Sequence, residues 1–295
     1  TEKTINLNYE IMKTNQKLCS VLLGLCIPVL FFSCKKDIDE GSIKTDDEGQ
    51  TVPRAIYSTR SLNWNGRADA TYTLAQAQTD FGNIMSGWNE SRAAFREEQC
   101  RITILKDALG AAGGMIAYVD VADGSEYEIQ FDVAFNSTFE LGKGGKLGWG
   151  FMIGNGASGG SDARDGLGGS LRLVWQQDAG GSFFQAYAYH KDQANAYGTT
   201  YGRYPATGSI TPGAWYTVKL YFKSNTGTST NGRLKLTING TSVVDRAMRW
   251  TTDDTKRLVN KFCFSNFRGG STVDWQSSAT SFIYFDNLSW TRLAL

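Results

Sequence analysis

Two neighbouring segments carry the side chains best suited to chemistry. Residues 170–175 (SLRLVW) and 183–189 (FFQAYAY) flank a glycine-containing turn, and their side chains alternate in character. Because successive side chains of a strand point to opposite faces, this alternation predicts a β-hairpin with one apolar face in a core. Its other face would present a cation, hydroxyl groups and an amide: Ser170, Arg172, Gln185, Tyr187 and Tyr189. This composition indicates a binding or catalytic surface.

A glycine-rich segment offers a second cation. Residues 142–151 (GKGGKLGWGF) lack the spacing of a phosphate-binding Walker loop, and no helical pattern follows them. Alternation predicts a strand whose large apolar residues face a core, whereas Lys146, Gly148 and Gly150 face outward. Glycines on one strand face mark a close approach by a ligand or another backbone. Lys146 would therefore stand beside a strand surface that carries no side chains. A lysine on a solvated strand is the alternative.

Other acid–base candidates fit less well. His190 is the sole histidine, and regular alternation after Tyr189 places it on the core side, unless a bulge reverses the order. Paired carboxylates would suit glycoside hydrolysis, but no spacing pairs the three acidic residues of the neighbouring loops, which are Asp162, Asp165 and Asp192. Trp175 is expected in the core.

The composition favours an all-β protein without nucleic-acid affinity. The chain has 33 glycines, 4 prolines and 13% aromatic residues, which suits many strands joined by glycine turns. Its 30 Lys+Arg nearly balance 29 Asp+Glu, so no general attraction to nucleic acid is expected. Alternating segments recur at spacings typical of a β-sandwich or jelly roll, at residues 127–135, 216–222, 234–238 and 282–288. We assign residues 62–295 to one domain.

The N-terminal part is interpreted as processing signals. Residues 1–11 precede the first methionine and are assigned to upstream sequence. Residues 12–33 have a short basic region and an apolar core that suit a signal peptide, and the following Cys34 resembles the lipidated cysteine of bacterial lipoproteins. Residues 34–61 are polar and acidic and are predicted to form a flexible tether. Acidic residues soon after the anchor resemble the surface-export signal of Bacteroidetes-type lipoproteins.

The cysteines leave one question open. Cys19 and Cys26 would be removed with the signal peptide, so only Cys100 and Cys263 remain in the folded part. Export permits a disulfide between them, and two buried free thiols are the equal alternative. A zinc site is disfavoured because there is no paired-cysteine spacing and only one histidine.

A series of short motifs carries a family resemblance. In order along the chain they are GKGGKL at 142–147, GGSLRLVW at 168–175, YAY at 187–189, YG at 197–198, GAWY at 213–216, NG at 231–232, FRGG at 267–270 and FDN at 285–287. Each motif alone is weak, but the series resembles polysaccharide lyase family fourteen and its relatives, including the family twenty glucuronan lyases. The resemblance extends over roughly residues 95–293.

The resemblance implies a concanavalin-like β-jelly roll whose concave sheet binds an acidic polysaccharide and cleaves it by β-elimination. The substrate would be a polyuronate of the alginate or glucuronan type. A non-catalytic, surface glycan-binding lipoprotein with the same jelly roll is the alternative. We expect a monomer that is exported, lipid-anchored to the outer membrane at Cys34, and facing the periplasm or the surface. No cofactor or catalytic metal is expected, and structural calcium is left open.

The resemblance also assigns roles to single residues. The lysine, the serine–arginine pair and the two tyrosines of the family correspond to Lys146, Ser170, Arg172, Tyr187 and Tyr189. Arg172 suits the uronate carboxylate, and Lys146 would assist it or act as base if its pKa is lowered. Tyr189 is the favoured base or acid, with Tyr187 as its partner. The residues expected to orient or stack on sugars are Ser170, Gln185, Lys143, Tyr197 and Tyr201.

Overall fold

The computed structural model describes residues 55–295. The predicted signal peptide, the lipidation at Cys34 and most of the predicted tether lie outside the described residues. The first strand begins at Thr59 and pairs with the last strand, so residues 59–61 belong to the ordered fold rather than to the tether. Within the described range, no helix has the length and apolar character needed to cross a membrane.

Two antiparallel sheets make up the described fold. The strands are β1 (Thr59–Leu62), β2 (Ala70–Thr71), β3 (Ile84–Ser86), β4 (Ala93–Arg96), β5 (Gln99–Ile104), β6 (Met115–Gly124), β7 (Glu126–Phe135), β8 (Gly144–Gly154), β9 (Gly168–Asp178), β10 (Gly181–Tyr189), β11 (Thr199–Tyr204), β12 (Trp215–Lys223), β13 (Gly232–Ile238), β14 (Thr241–Met248), β15 (Val259–Arg268) and β16 (Ser281–Ala294). The nine-stranded sheet has the order β14-β13-β12-β7-β16-β5-β4-β2, with β1 paired to β16, and the seven-stranded sheet has the order β11-β10-β9-β8-β15-β6-β3. Two α-helices, α1 (Leu74–Phe81) and α2 (Gly110–Gly113), and three 3₁₀ turns, Ala163–Asp165, Asp254–Lys256 and Val273–Trp275, lie between strands.

The core lies between the two sheets and follows from strand alternation. In β7, every second residue from Tyr127 to Val133 is buried, with at most 1% of its surface exposed. Rings from the two sheets meet across the core: the centroids of Phe135 and Trp175 lie 5.3 Å apart, and those of Tyr127 and Phe262 lie 5.4 Å apart. Aromatic pairs at such distances add to the burial of apolar surface. The structure confirms the predicted all-β jelly-roll sandwich.

The predicted hairpin is formed by β9 and β10. Its pairing runs without a shift from Gly181 opposite Asp178 to Tyr189 opposite Ser170. The alternating apolar residues of both strands are completely buried, namely Leu171, Leu173, Trp175, Phe184, Ala186 and Ala188. Since the apolar face enters the core, the polar set of this hairpin lies on the outer face of the seven-stranded sheet.

Strand β8 departs from the predicted alternation at one glycine. The pairing of β8 with β9 shifts between Leu147 and Phe151, and Gly148 adopts a φ of 69°. A Cβ at Gly148 would lie 2.6 Å from a ring carbon of Phe131, so this glycine faces the core and not the outer face. The prediction that Gly148 faces outward is therefore wrong. The irregular pairing is a bulge, which an alternation pattern does not reveal.

The two cysteines of the described fold are free thiols. Cys100 on β5 and Cys263 on β15 are both buried and lie on different sheets. The structure therefore supports the free-thiol alternative over a disulfide. In both residues burial raises the thiol pKa, which disfavours the reactive thiolate.

Candidate active site

Strand pairing arranges the outer face of the seven-stranded sheet into rows that cross the strands. The middle row runs through Tyr187, Arg172, Gly150, Cys263 and Tyr118. On one side lies a row of Gln185, Val174, Lys146 and Phe267, and on the other a row of Tyr189, Ser170, Met152 and Lys261. The sheet thus brings Lys146, Arg172 and both tyrosines together from three neighbouring strands.

Arg172 is a buried cation without a hydrogen-bond partner on two of its donors. Its exposed fraction is 6%, and its Nε and Nη2 atoms find no acceptor in the described part of the chain. The guanidinium carbon lies 5.6 Å from the ring centroids of both Tyr187 and Tyr189. A buried guanidinium left unpaired is costly, and its Nε–Nη2 edge matches the two oxygens of a carboxylate. This edge is therefore suited to an anionic ligand.

The position of Arg172 depends on Gly150. A Cβ at Gly150 would lie 2.8 Å from Cγ of Arg172 and 2.4 Å from the carbonyl oxygen of Leu171, both closer than real contacts allow. The arginine side chain therefore lies across the bare backbone of β8. This arrangement matches the expectation that an outward glycine marks a close approach by another group.

Lys146 lies beside Tyr187 and has no acidic partner among residues 55–295. Its amine is 5.0 Å from the ring centroid of Tyr187 and 5.7 Å from that of Phe267. Burial, and secondly the positive charge of Arg172, lower the pKa of Lys146 to about 8. A lysine in this state is partly unprotonated slightly above neutral pH and is able to accept a proton.

The two tyrosines differ in accessibility. Tyr189 is 1% exposed and packs with Ala157 and Ala163, whereas Tyr187 is half-buried. The Tyr187 hydroxyl donates to the Tyr189 oxygen over 3.4 Å, and backbone N–H groups of Gly198 and Gly160 donate to Tyr187 and Tyr189, each over 3.1 Å. Burial, then the neighbouring Tyr189, raise the pKa of Tyr187. Tyr187 is therefore a protonated phenol at neutral pH.

Ser170 and Gln185 are occupied by contacts within the chain. Ser170 is completely buried and its hydroxyl donates to the carbonyl oxygen of Ala157 over 2.7 Å, so it holds the loop of residues 155–161. Gln185 is 6% exposed and its side chain donates to Gln176. In this structure both side chains form hydrogen bonds within the chain, and they lie in rows next to Arg172 and the tyrosines. The prediction that they orient a sugar stays a prediction.

The remaining predicted sugar contacts are dispersed. Lys143 is exposed and forms an ion pair with Asp274 outside the central cluster. Tyr197 is 64% exposed and lies near Gly160, whose added Cβ would be 3.4 Å from the Tyr197 ring. Tyr201 pairs with Ala186 and packs against the core, away from the outer face that carries Arg172. A glycine-rich loop pattern does not reveal on which face its tyrosines lie.

His190 and the loop carboxylates take no part in the cluster. The Nε2 atom of His190 lies 2.8 Å from the Tyr201 hydroxyl oxygen, its Nδ1 accepts a hydrogen bond from the Asp192 backbone, and burial lowers its pKa to about 4. This agrees with the expectation of a satisfied histidine. Asp162 pairs with Arg164, and Asp192 pairs with Arg249. Within residues 55–295 no group of three or more His, Cys, Asp or Glu side chains could hold a metal ion.

Sequence analysis missed three residues of this face: Tyr118, Met152 and Cys263. Residues 115–121 of β6 alternate, because Met115, Ala117, Val119 and Val121 are buried and Tyr118 faces outward. The same alternation in the sequence predicts that Tyr118 faces outward. Cys263 was considered only as a disulfide partner, although its pairing opposite Gly150 places it in the middle row.

The described fold is a jelly-roll sandwich that gathers two cations, Lys146 and Arg172, and two tyrosines on one sheet face. The polysaccharide lyase 14 family model matches residues 106–288, and the chain belongs to this family. No curated protein sequence matches the chain significantly.

Solved structures support the assignment. The structure of alginate lyase Aly36B is 50% identical to the chain, covers 82% of it and 99% of its own length, and superposes with a TM-score of 0.79. A variant of that enzyme with a lysine and a tyrosine replaced by alanine, in complex with alginate tetrasaccharide, is 49% identical over 82% of this chain and 99% of its own, with a TM-score of 0.80. The PL-14 alginate lyase from Aplysia kurodai shares the fold at 22% identity, with a TM-score of 0.65 over 81% of this chain and all of its own.

Proposed function

We propose that this polysaccharide lyase cleaves a 1,4-linked polyuronate of the alginate type by β-elimination. The observation that carries the proposal is the Nε–Nη2 edge of Arg172, which is buried, has no acceptor within residues 55–295, and is flanked by Lys146 and Tyr187. A uronate supplies the carboxylate that this edge lacks. Glucuronan, another polyuronate, is the second candidate substrate, because the same elimination would cleave it.

Carboxylate binding at Arg172 addresses the main obstacle of the reaction. The proton to be removed sits on the carbon next to the carboxylate, whose negative charge opposes loss of that proton. A guanidinium that already faces the carboxylate stabilises the charge that develops there, without reorganisation during the step. The aromatic faces of Tyr187 and Tyr189 hold the guanidinium in position.

Proton transfers are assigned to Lys146 and Tyr187. The neutral amine of Lys146 takes the proton from C5 of the uronate, and the electron pair forms the C4–C5 double bond as the C4–oxygen bond breaks. The Tyr187 hydroxyl is protonated at neutral pH, as the raised pKa of this group reinforces, and gives its proton to the departing glycosidic oxygen. The reaction consumes no water and leaves an unsaturated uronate at the new non-reducing end. Proton exchange with solvent then restores both residues.

Tyr187, rather than Tyr189, is placed to act as the acid. The sequence favoured Tyr189 as base or acid, but Tyr189 is 1% exposed beneath the loop of residues 155–161. Its hydroxyl accepts hydrogen bonds from Gly160 and Tyr187, so we assign it the role of positioning Tyr187.

The comparisons support the substrate class. A relative of about half-identical sequence is an alginate lyase, and two of its variants are described in complex with alginate tetrasaccharide and trisaccharide. Both variants carry a lysine-to-alanine change, and one also carries a tyrosine-to-alanine change. These substitutions involve the residue types to which we assign proton transfer.

The test is to incubate the full chain with polymannuronate, polyguluronate, glucuronan and a neutral glucan. Ultraviolet absorbance of the unsaturated product should rise with at least one polyuronate and not with the glucan. Binding to a polyuronate without any product would replace the lyase with the alternative, a non-catalytic glycan-binding protein. Activity that survives a chelator is expected, because the mechanism assigned here needs no metal.

The location of the protein forms part of the proposal. We assign export and lipidation at Cys34, with the anchored chain on the outer membrane and the domain acting as a monomer on polysaccharide at the periplasmic or outer surface. The support is the resemblance of residues 12–34 to a lipoprotein signal. Radiolabelled palmitate should enter the wild-type protein and not Cys34→Ala, and label in both would refute the anchor.

A further inference from the structure

A cavity of about 370 Å³ lies on the outer face of the seven-stranded sheet, next to the cluster of Lys146, Arg172 and Tyr187. None of these three residues lines it. Its walls come from β3, β6, β8, β15 and the loop of residues 155–161, and include Ser86, Tyr118, Met152, Ser158, Ser161 and Lys261. The volume falls in the range of small-ligand sites. The cavity has no role in the proposed elimination step.

The cavity lies at the end of the middle row of outward-facing residues, which runs from Arg172 to Tyr118. Tyr118 stands in the same row as Arg172, with Gly150 and Cys263 between them. Burial raises the pKa of the Tyr118 hydroxyl, and the positive charge of Arg172 partly opposes this rise. Arg172 on β9 and Tyr118 on β6 are separated by three strand spacings of ~4.8 Å each. A polymer that crosses the strands at Arg172 therefore reaches the cavity.

Lys261 gives the cavity its charge. It lines the wall on β15, is half-buried, and its amine lies 6.0 Å from the Tyr118 ring centroid. In the described part of the chain no carboxylate lies within ion-pairing distance of this amine. Its cross-strand neighbour Asp120 instead accepts a hydrogen bond from Asn83 over 3.0 Å. After Lys146 and Arg172, Lys261 is thus a third cation on this face that has no ion-pair partner among residues 55–295.

The other walls suit a sugar ring. Tyr118 and Met152 offer apolar surface, whereas Ser86, Ser158 and Ser161 offer hydroxyl groups at the wall. Sugars have apolar faces and polar edges, so a site with both kinds of wall fits them. The Ser161 hydroxyl donates to the Ser158 carbonyl oxygen over 2.7 Å, which fixes the fold of the loop above the cavity.

We propose that this cavity is a second uronate subsite, in which Lys261 binds the carboxylate of a sugar further along the chain held at Arg172. The inference rests on the proposed function for the class of sugar. A polyuronate carries a carboxylate on every sugar, so a further cation along its path adds affinity and selects against neutral glycans. Lys261 acts in binding and not in the elimination step.

The test measures binding and turnover separately. Titration calorimetry in a Lys146→Ala background, which prevents consumption of the ligand, compares alginate-derived hexasaccharides with trisaccharides. Adding Lys261→Met should weaken hexasaccharide binding about tenfold, the loss expected for one charge-assisted hydrogen bond. The trisaccharide should lose less, because it can occupy the site at Arg172 alone. Lys261→Arg should retain most of the affinity.

A matched control removes the same charge elsewhere. Lys223 is exposed on β12 of the other sheet, and Lys223→Met should leave binding and turnover unchanged. In the active protein, Lys261→Met should raise KM for long substrates and leave kcat within about twofold. Hexasaccharide binding equal to that of the Lys146→Ala parent would overturn the subsite, even with full lyase activity. Absence of product from the wild type, with binding still dependent on Lys261, would refute the elimination and keep the subsite.

Discussion

The amine of Lys146 lies 5.0 Å from the ring centroid of Tyr187, although the two residues belong to strands that are not neighbours. Strand β9 runs between β8 and β10, and Arg172 projects from it into the same cluster. The base, the acid and the carboxylate-binding group thus come from three successive strands of one sheet. A rigid sheet fixes their separations, which favours a step that needs proton removal and donation on one sugar.

The pH dependence of activity should follow Lys146. Its pKa of about 8 means that the amine is mostly protonated, and inactive as a base, at pH 6. We expect kcat/KM to rise roughly tenfold per pH unit between pH 6 and 7.5 and to level off above pH 8. The measurement is initial rate against pH on a polyuronate at constant ionic strength.

A matched variant tests this assignment. Lys146→Arg keeps a positive charge beside Tyr187 but cannot lose its proton near neutral pH. It should reduce kcat by at least a hundredfold throughout pH 6–9. A flat profile for the wild type, or substantial activity of Lys146→Arg, would show that Lys146 is not the base.

The same lysine should make stability depend on pH. Its pKa is lowered from 10.5 to about 8 in the folded protein, so between these values the unfolded chain binds more protons. The free energy of unfolding therefore gains from rising pH across this window, and the full cost of the buried amine is felt below pH 8. Lys146→Met should raise the melting temperature at pH 7, and this gain should shrink towards pH 10.5. A gain that is equal at both ends would contradict the lowered pKa.

Substitution of the two tyrosines should lower the rate to different extents. Tyr187→Phe removes the proposed acid and should lower kcat by roughly 10²–10⁴. Tyr189→Phe removes only a supporting hydrogen bond beneath the loop of residues 155–161, so we expect a loss of about tenfold. Steady-state rates with melting temperatures for both variants provide the comparison. The opposite order would restore Tyr189 as the acid or base, as the sequence alone favoured.

Much of the sheet could be predicted from the sequence because alternation is a local property. The hairpin of β9 and β10 keeps a regular register, so the pattern of Leu171, Leu173 and Trp175 places Arg172 on the outer face. The motifs around Lys146 and Tyr187 also indicated the protein family. The position of these groups on one face therefore needed no coordinates.

Other features of the site depend on contacts distant in sequence. The bulge that turns Gly148 towards Phe131 is set by packing against the other sheet. The burial of Tyr189 arises from a loop that Ser170 holds through the Ala157 carbonyl. Tyr201 turns to the core side because β11 pairs with β10 in a shifted register. Loop conformations and edge-strand registers leave no period in a sequence, so these placements could not be predicted.

The free thiols give a prediction about redox conditions. Cys100 and Cys263 are buried on different sheets without a disulfide. A reducing agent should therefore leave the melting temperature and activity unchanged, and a thiol reagent should label both residues only after unfolding. Mass spectrometry of native and denatured protein measures the labelling of each cysteine. A loss of stability on reduction would show that the two cysteines are bridged.

Arg172 should trade stability for function. Its guanidinium is 6% exposed, and among residues 55–295 its Nε and Nη2 atoms have no acceptor. An unsatisfied buried group of this kind costs about 1–3 kcal/mol. Arg172→Met removes this cost and keeps much of the packing over Gly150, so we expect a melting temperature higher by a few degrees and no detectable elimination. Arg172→Lys keeps the charge but loses the paired donors, and should lose at least a hundredfold in kcat/KM. A polyuronate oligosaccharide should raise the melting temperature of the wild type and not that of Arg172→Met. An unstable Arg172→Met protein, or one that the oligosaccharide still stabilises, would mean that Arg172 serves the fold and not the carboxylate.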